Sequence, residues 1–230
     1  MIERIKTGIE GLDELLKGGV PDHHHVLVCG GPGTGKTLLC IEFLYRGAKL
    51  GEKGVFISLE ELPETIIKNV ESTFSNWKDF KKLVEEKKIT IIKPARYDFV
   101  NFSDILQSYV TQHKVKRVVV DSATILKLSF DKEIEFRKKL VEFLGFVRNL
   151  DCTIFMTAEL SYPIREKMKF SLEQFVADGV IILYNLEREE KRVRAMEVLK
   201  MRGTDHVQDL VPMKITNDGI KIYVGEKVYR

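Results

Sequence analysis

Cysteine is scarce in this 230-residue chain: Cys29, Cys40 and Cys152 stand far apart, each among apolar residues. An odd number without a CxxC pair argues against a disulfide framework, and suits buried thiols in a reducing, cytoplasmic setting. Long hydrophobic runs are missing too, since nowhere does the chain reach the roughly 18 consecutive apolar residues that a membrane span needs. The start, Met1-Ile2-Glu3-Arg4-Ile5-Lys6, has no apolar stretch of the signal-peptide kind, so neither secretion nor membrane insertion is expected. Nor does one sign of charge dominate: 37 Lys and Arg face 34 Asp and Glu, a formal net charge of +3. A balance that small does not by itself call for nucleic acid. Linkers and internal repeats are also absent, and 44% hydrophobic residues exclude a disordered tail. Residues 1–230 therefore read as one domain with a sizeable core.

What is present is an alternation of short apolar strands and amphipathic helices. Val26–Cys29, Val55–Leu59, Ile89–Ile92, Val118–Asp121 and Thr153–Thr157 read as strands. Between them, helical periodicity runs through residues 35–50, 62–87 (one or two helices), 101–112 and 132–150. Strands that are apolar throughout, separated by helices, indicate an α/β fold: a mainly parallel central sheet with helices on both faces. After residue 177 the rhythm changes. Val180–Tyr184, Arg192–Leu199 and Ile220–Val224 read as strands joined by Glu187-Arg188-Glu189-Glu190 and by an Asn217-Asp218-Gly219 turn, an antiparallel C-terminal extension.

The chemistry concentrates behind the first strand. Gly30-Gly31-Pro32-Gly33-Thr34-Gly35-Lys36-Thr37 fits the phosphate-binding pattern GxxxxGK[ST], with Leu38 continuing into the helix. Small residues let successive backbone N–H groups converge on phosphate oxygens, and the helix N-terminus adds partial positive charge. Lys36 suits the terminal phosphates of ATP, and the Thr37 hydroxyl suits Mg²⁺. Asp121 closes a β-branched strand at its carboxyl edge, where open α/β sheets bind ligands, and can hold the same Mg²⁺. Glu60 and Glu61 follow the second strand. Either they position a water for hydrolysis or they decorate the helix start near Pro63, and the residues alone leave both readings open.

Taken together, these motifs resemble the KaiC-like branch of the RecA/RadA P-loop ATPase superfamily. The resemblance extends through Gly11–Pro21, Ser58-Leu59-Glu60-Glu61, Val118–Ser122, Phe175–Val180, Val198–Thr204 and Ile215–Ile220, nearly the whole chain, as a single module. It implies a RecA-like core, binding of ATP and Mg²⁺, and assembly into a homo-oligomeric ring, commonly a hexamer. It also implies that Glu60 and Glu61 stand at the water-activating position, which resolves the choice left above. Lys200 and Arg202 would reach a neighbouring subunit's nucleotide, and Glu159 would sense the γ-phosphate and pass its state to a mobile inner loop at 161–170. The two fused modules of the cyanobacterial clock protein are not implied for this single one, nor is circadian timing.

Two features fall outside that pattern. His23-His24-His25 suggests metal, but alternation along an extended segment would send His24 opposite to the other two, so an exposed turn is expected. Single-stranded DNA is the partner that RadA relatives would suggest, through Arg165, Lys167 and Lys169 with Tyr162 and Phe170. Glu166 and Glu173 dilute that patch, and the lysines of 78–88 are matched by Asp79, Glu85 and Glu86. A regulatory or signalling ATPase with a protein client is the favoured expectation. A recombination ATPase and a non-hydrolysing assembly protein are the alternatives.

Overall fold

Strands apolar on every residue need cover on both faces, and the computed structural model shows both covers in place. It describes residues 3–96, 98–127, 130–160, 172–188 and 190–228. A short N-terminal section holds β1 (Arg4–Ile5), α1 (Leu12–Leu15) and β2 (Val20–Pro21). Then come β3 (His25–Gly30), α2 (Lys36–Lys49), β4 (Lys53–Ser58), α3 (Pro63–Thr73), α4 (Phe80–Glu85) and β5 (Ile89–Ile92). The middle of the chain supplies α5 (Phe99–His113), β6 (Val115–Asp121), α6 (Ala123–Lys127), α7 (Glu133–Val147) and β7 (Thr153–Glu159). The last part comprises α8 (Leu172–Val176), β8 (Gly179–Arg188), β9 (Lys191–Met201), β10 (Val211–Thr216) and β11 (Gly219–Ile222).

Among the described residues, nine strands join in one sheet, in the order β11-β10-β9-β8-β3-β7-β6-β4-β5. The six from β8 to β5 are parallel, and β9, β10 and β11 continue antiparallel. Pleating divides each apolar run between two cores. Val26, Val28, Phe56, Val119 and Phe155 face α2, α3 and α4. Their neighbours Leu27, Val55, Ile57, Val118, Val120 and Ile154 face α5 and α7. On the first face Phe43 of α2 stacks on Phe155 of β7, ring centroids 4.1 Å apart. Local signals start the helices where expected: Pro63 opens α3, and the Asp98 carboxylate accepts from Asn101 N at 2.9 Å to cap α5.

Three expectations about elements need correction. The Asn217-Asp218-Gly219 turn connects β10 to β11, and β10 itself had been read as no element at all. Its sequence, Val-Pro-Met-Lys-Ile-Thr, alternates only weakly, and it pairs with β9 at just Val211 and Pro212. Tertiary contacts hold the turn instead: the buried Glu42 of α2 accepts from Ile220 N at 2.6 Å, and Trp77 Nε1 donates to Asp218 O at 2.9 Å. The charged stretch 187–190, read as a connection, is partly strand, because β8 runs to Arg188. Long antiparallel pairing with β9 carries these charges in extended form beyond the core.

The histidine run is the third correction. His25 belongs to β3 and is 1% exposed, not part of an exposed turn. Its Nδ1–H donates to Asp178 Oδ2 at 2.8 Å, and its Nε2 has no hydrogen-bond partner among the described residues. His23 takes a left-handed φ of 58°, which ends the alternation that would otherwise align it with His25.

Candidate functional site

β3 ends at Gly30 and α2 begins at Lys36, so residues 31–35 form the loop between a central strand and its helix. Gly33 and Gly35 have φ of 71° and 99°, a left-handed backbone that side chains resist, and this curls the loop. Thr34 Oγ1 braces it by donating to Gly31 O at 2.9 Å. Lys36 Nζ folds back over the loop and donates to Gly30 O and Gly31 O at 3.0 and 3.1 Å. Leu38 sits half-buried behind, packed on the first core.

β6 lies two places from β3, with β7 between them, and α2, β6 and β7 each deliver a side chain to one point. Thr37 Oγ1 donates to Asp121 Oδ2 at 2.8 Å. Thr157 of β7 donates to Asp121 Oδ1, a contact the sequence reading missed. A lone threonine at the polar end of an apolar strand was its only signal. Burial pushes the Asp121 carboxyl pKa up and the nearby Glu60 charge adds to this, while Thr157, Thr37 and Lys36 pull the other way. The Asp121–Ser122 peptide bond is cis.

The structure separates the two glutamates. Glu60 Oε1 accepts from Ser122 Oγ at 2.7 Å, which keeps it beside Asp121. Glu61 turns toward α3 and accepts from Asn69 Nδ2 at 3.2 Å, with its backbone tied to Ser58 Oγ. Glu159 ends β7 in register with Gly30, and its N–H donates to Thr124 Oγ1 at 3.0 Å. The inner-loop segment 161–170, with Tyr162, Arg165, Glu166, Lys167, Lys169 and Phe170, lies outside the described residues. Arg194 of β9 was also missed: its Nε donates to Gly33 O at 3.2 Å.

Lys200 and Arg202 are not brought to this loop. β9 runs antiparallel to β8, with Met201 opposite Gly179, whereas Gly30 of β3 lies level with Leu183. Four residues of strand, about 13 Å, therefore separate the pair from the loop of the same chain. Both have partners in their own chain. Lys200 Nζ donates to Gln174 O, Phe175 O and Ala177 O at 3.3, 3.0 and 2.6 Å, capping α8. Burial and the neighbouring Arg202 charge lower its pKa. Arg202 Nη1 donates to Asp178 Oδ1 at 2.9 Å, and Arg148 Nη2 reaches the same oxygen at 2.7 Å.

A glycine-rich loop leading from a central parallel strand into a helix, a threonine facing a buried strand-end aspartate, and a sheet extended by antiparallel strands define a P-loop nucleotide-binding protein of the RecA-like class. Comparison with known proteins narrows this. A family model described as "ATPase: KaiC" matches residues 5–227. The chain is 36% identical over 233 residues to the circadian clock oscillator protein KaiC of Picosynechococcus sp., covering 96% of this chain and 45% of that protein. Against the protein of the same name from Synechococcus elongatus the identity is 35%, over 96% of this chain and 44% of the relative. Against that from Prochlorococcus marinus it is 32%, over 96% and 45%. The chain thus spans less than half the length of these relatives. It belongs to the KaiC ATPase family and is an ATP-binding chain of that type.

Proposed function

We propose that this chain, one ATPase module over residues 1–230, hydrolyses ATP with Mg²⁺ as part of a ring, of six copies by family resemblance, in which each site takes residues from two neighbours. The observation that carries the nucleotide half is the 2.8 Å contact between Thr37 Oγ1 and Asp121 Oδ2. A hydroxyl and a carboxylate at the mouth of a glycine-rich loop are the donor set a hard, oxygen-seeking cation takes. Mg²⁺ held there supplies charge neutralisation at the phosphates. Lys36 exchanges its two carbonyl partners for phosphate oxygens, and the loop N–H groups orient them. Glu60 accepts a hydrogen bond from the attacking water and Ser122 keeps its carboxylate turned to the site, while Glu61 supports the loop from α3. Glu159, level with Gly30, senses the terminal phosphate.

The cross-strand geometry supports the shared site. Lys200 and Arg202 lie at the opposite end of the sheet from their own loop, so contact with a nucleotide requires that of a neighbour. A guanidinium and an ammonium suit charge developing on a transferring phosphoryl group. A protein client, giving the ring a regulatory role, is favoured over DNA because acidic partners take up part of the positive charge around α4. Lys49 meets Asp79 at 2.5 Å, and Lys82 and Lys88 both meet Glu86, at 3.7 and 2.9 Å. The buried, unpaired thiols of Cys29, Cys40 and Cys152 support a cytoplasmic setting, and no helix among the described residues is long and apolar enough to cross a membrane.

Phosphate release measured for wild type, K36A, R202A and a mixture of the two variants tests this reading. Each variant alone should be inactive, and the mixture should regain turnover where an intact loop meets an intact arginine. Assembly and subunit exchange are checked by light scattering and native mass measurement. A wild type without ATP turnover refutes the hydrolytic part and leaves an assembly protein. A mixed ring without recovery refutes the shared site, and stimulation by single-stranded DNA would favour the recombination reading.

A further inference from the structure

At the end of the sheet opposite the phosphate loop, three side chains converge from two loops that precede neighbouring strands. Asp22 and His23 lead into β3, and Asp151 leads into β7. His23 Nε2 stands 3.2 Å from Asp22 Oδ2 and 3.5 Å from Asp151 Oδ1. All three atoms lie within 4.8 Å of one another. A tetrahedral zinc ion bound at about 2.0–2.1 Å holds its ligand atoms about 3.3–3.4 Å apart, so two edges of such a site are already at length.

The atoms that do not converge are each held from outside the trio. His23 Nδ1 lies 3.2 Å from Leu150 O. A carbonyl only accepts, so Nδ1 carries the hydrogen and Nε2 presents its lone pair. Asp22 Oδ1 accepts from Thr153 Oγ1 at 3.1 Å, leaving Oδ2 free. Asp151 Oδ2 takes the Lys116 ammonium, leaving Oδ1 free. Metal-binding imidazoles usually donate their second N–H to a carbonyl or carboxylate in this way, which fixes ring orientation. A lone pair turned toward two carboxylates is repulsive unless something positive stands between them. A second proton on the imidazole or a metal ion meets that need. Side-chain exposures of 43% for His23, 26% for Asp22 and 64% for Asp151 leave a path for entry and a fourth position for water.

We propose that Asp22, His23 and Asp151 bind one divalent transition ion of the zinc class. One imidazole with two carboxylates favours zinc and its neighbours over Mg²⁺, which takes oxygen ligands. Only one histidine of the consecutive run takes part. His24 Nε2 lies 3.1 Å from Arg202 O, and His25 is buried against Asp178. The site is independent of nucleotide chemistry.

The experiment is equilibrium dialysis of chelator-stripped protein against Zn²⁺ without nucleotide, read by elemental analysis, with Co²⁺ absorption reporting tetrahedral geometry. Wild type should bind one equivalent, unaffected by excess Mg²⁺. H23A and D151N should each weaken binding by about tenfold or more, while H24A binds as wild type. Circular dichroism of the variants checks that the fold is kept, and two independent substitutions guard against loss of either one. Stoichiometric binding that survives in H23A would move the ion elsewhere and overturn the assignment. Failure of wild type to take up Zn²⁺ would overturn it in favour of a protonated imidazole bridging the two carboxylates.

Discussion

Replacing Asp178 by Asn keeps the side chain's shape and removes its charge, which makes D178N a clean probe of the cluster that holds Arg202. The wild-type carboxylate accepts from His25 Nδ1 at 2.8 Å, Arg148 at 2.7 Å and Arg202 at 2.9 Å. Breaking a buried ionic pair from one side costs about 3–5 kcal/mol. The two arginines are half-exposed, 49% and 48%, so water takes over much of their solvation and their share is small. The dominant loss comes from His25, whose side chain is 1% exposed. An overall destabilisation of about 2–4 kcal/mol follows, or roughly 5–15 °C in melting temperature for a chain of this size. The pH dependence supplies a second check. Burial alone would raise the Asp178 carboxyl pKa, but the hydrogen bond and charge of His25, with Arg148 beside it, hold it well below the usual carboxylate range. A depressed pKa stabilises the fold above the unfolded value of about 3.9, and that contribution is lost as pH falls through the folded value. The gap between wild type and D178N should therefore be full at neutral pH and shrink once pH drops below about 4. Thermal melts followed by circular dichroism across that range measure it. A D178N melting temperature within about 1 °C of wild type at neutral pH, or a gap independent of pH, would refute the account.

Other substitutions read the site and core separately. E60Q should leave nucleotide affinity intact and slow phosphate release at least about tenfold, and E61Q should stay within about threefold, measured by single-turnover hydrolysis; equal effects would undo the separation of the two glutamates. Gly47→Ala should destabilise by about 2 kcal/mol or more in urea titration, because a Cβ there would lie 2.3 Å from the Cδ of the fully buried Arg117. Arg117 cannot withdraw, being fixed by Phe43 O at 2.8 Å, Lys6 O at 2.7 Å and Glu52 at 2.5 Å. The thiols should resist a disulfide reagent at pH ~8 until the chain unfolds, when all react. Burial raises Cys29 to about 11, Cys152 to about 12 and Cys40 well above its ordinary value. Rapid labelling of native protein would contradict this.

Much of the architecture lies in local pattern. Five apolar strand runs, the loop 30–37 between strand and helix, and Asp121 at a strand end are properties of contiguous residues, set by pleat, helical period and glycine conformation. That is why the P-loop and the parallel sheet were legible from sequence. The relations that give those residues partners are not local. Glu60 and Glu61 are chemically identical neighbours, and only the packing of Ser122 against one and Asn69 against the other tells them apart. β10 has a weak pattern because its place depends on a turn gripped by Glu42 and Trp77, far away in sequence. Lys200 and Arg202 carry no mark of which end of the sheet they occupy; the antiparallel direction of β9 puts them opposite their own loop. The three histidines look equivalent as text. A left-handed residue at His23 and the start of β3 at His25 send one to a surface carboxylate pair and bury another against Asp178, a division made by backbone direction and solvent exclusion that no property of imidazole encodes.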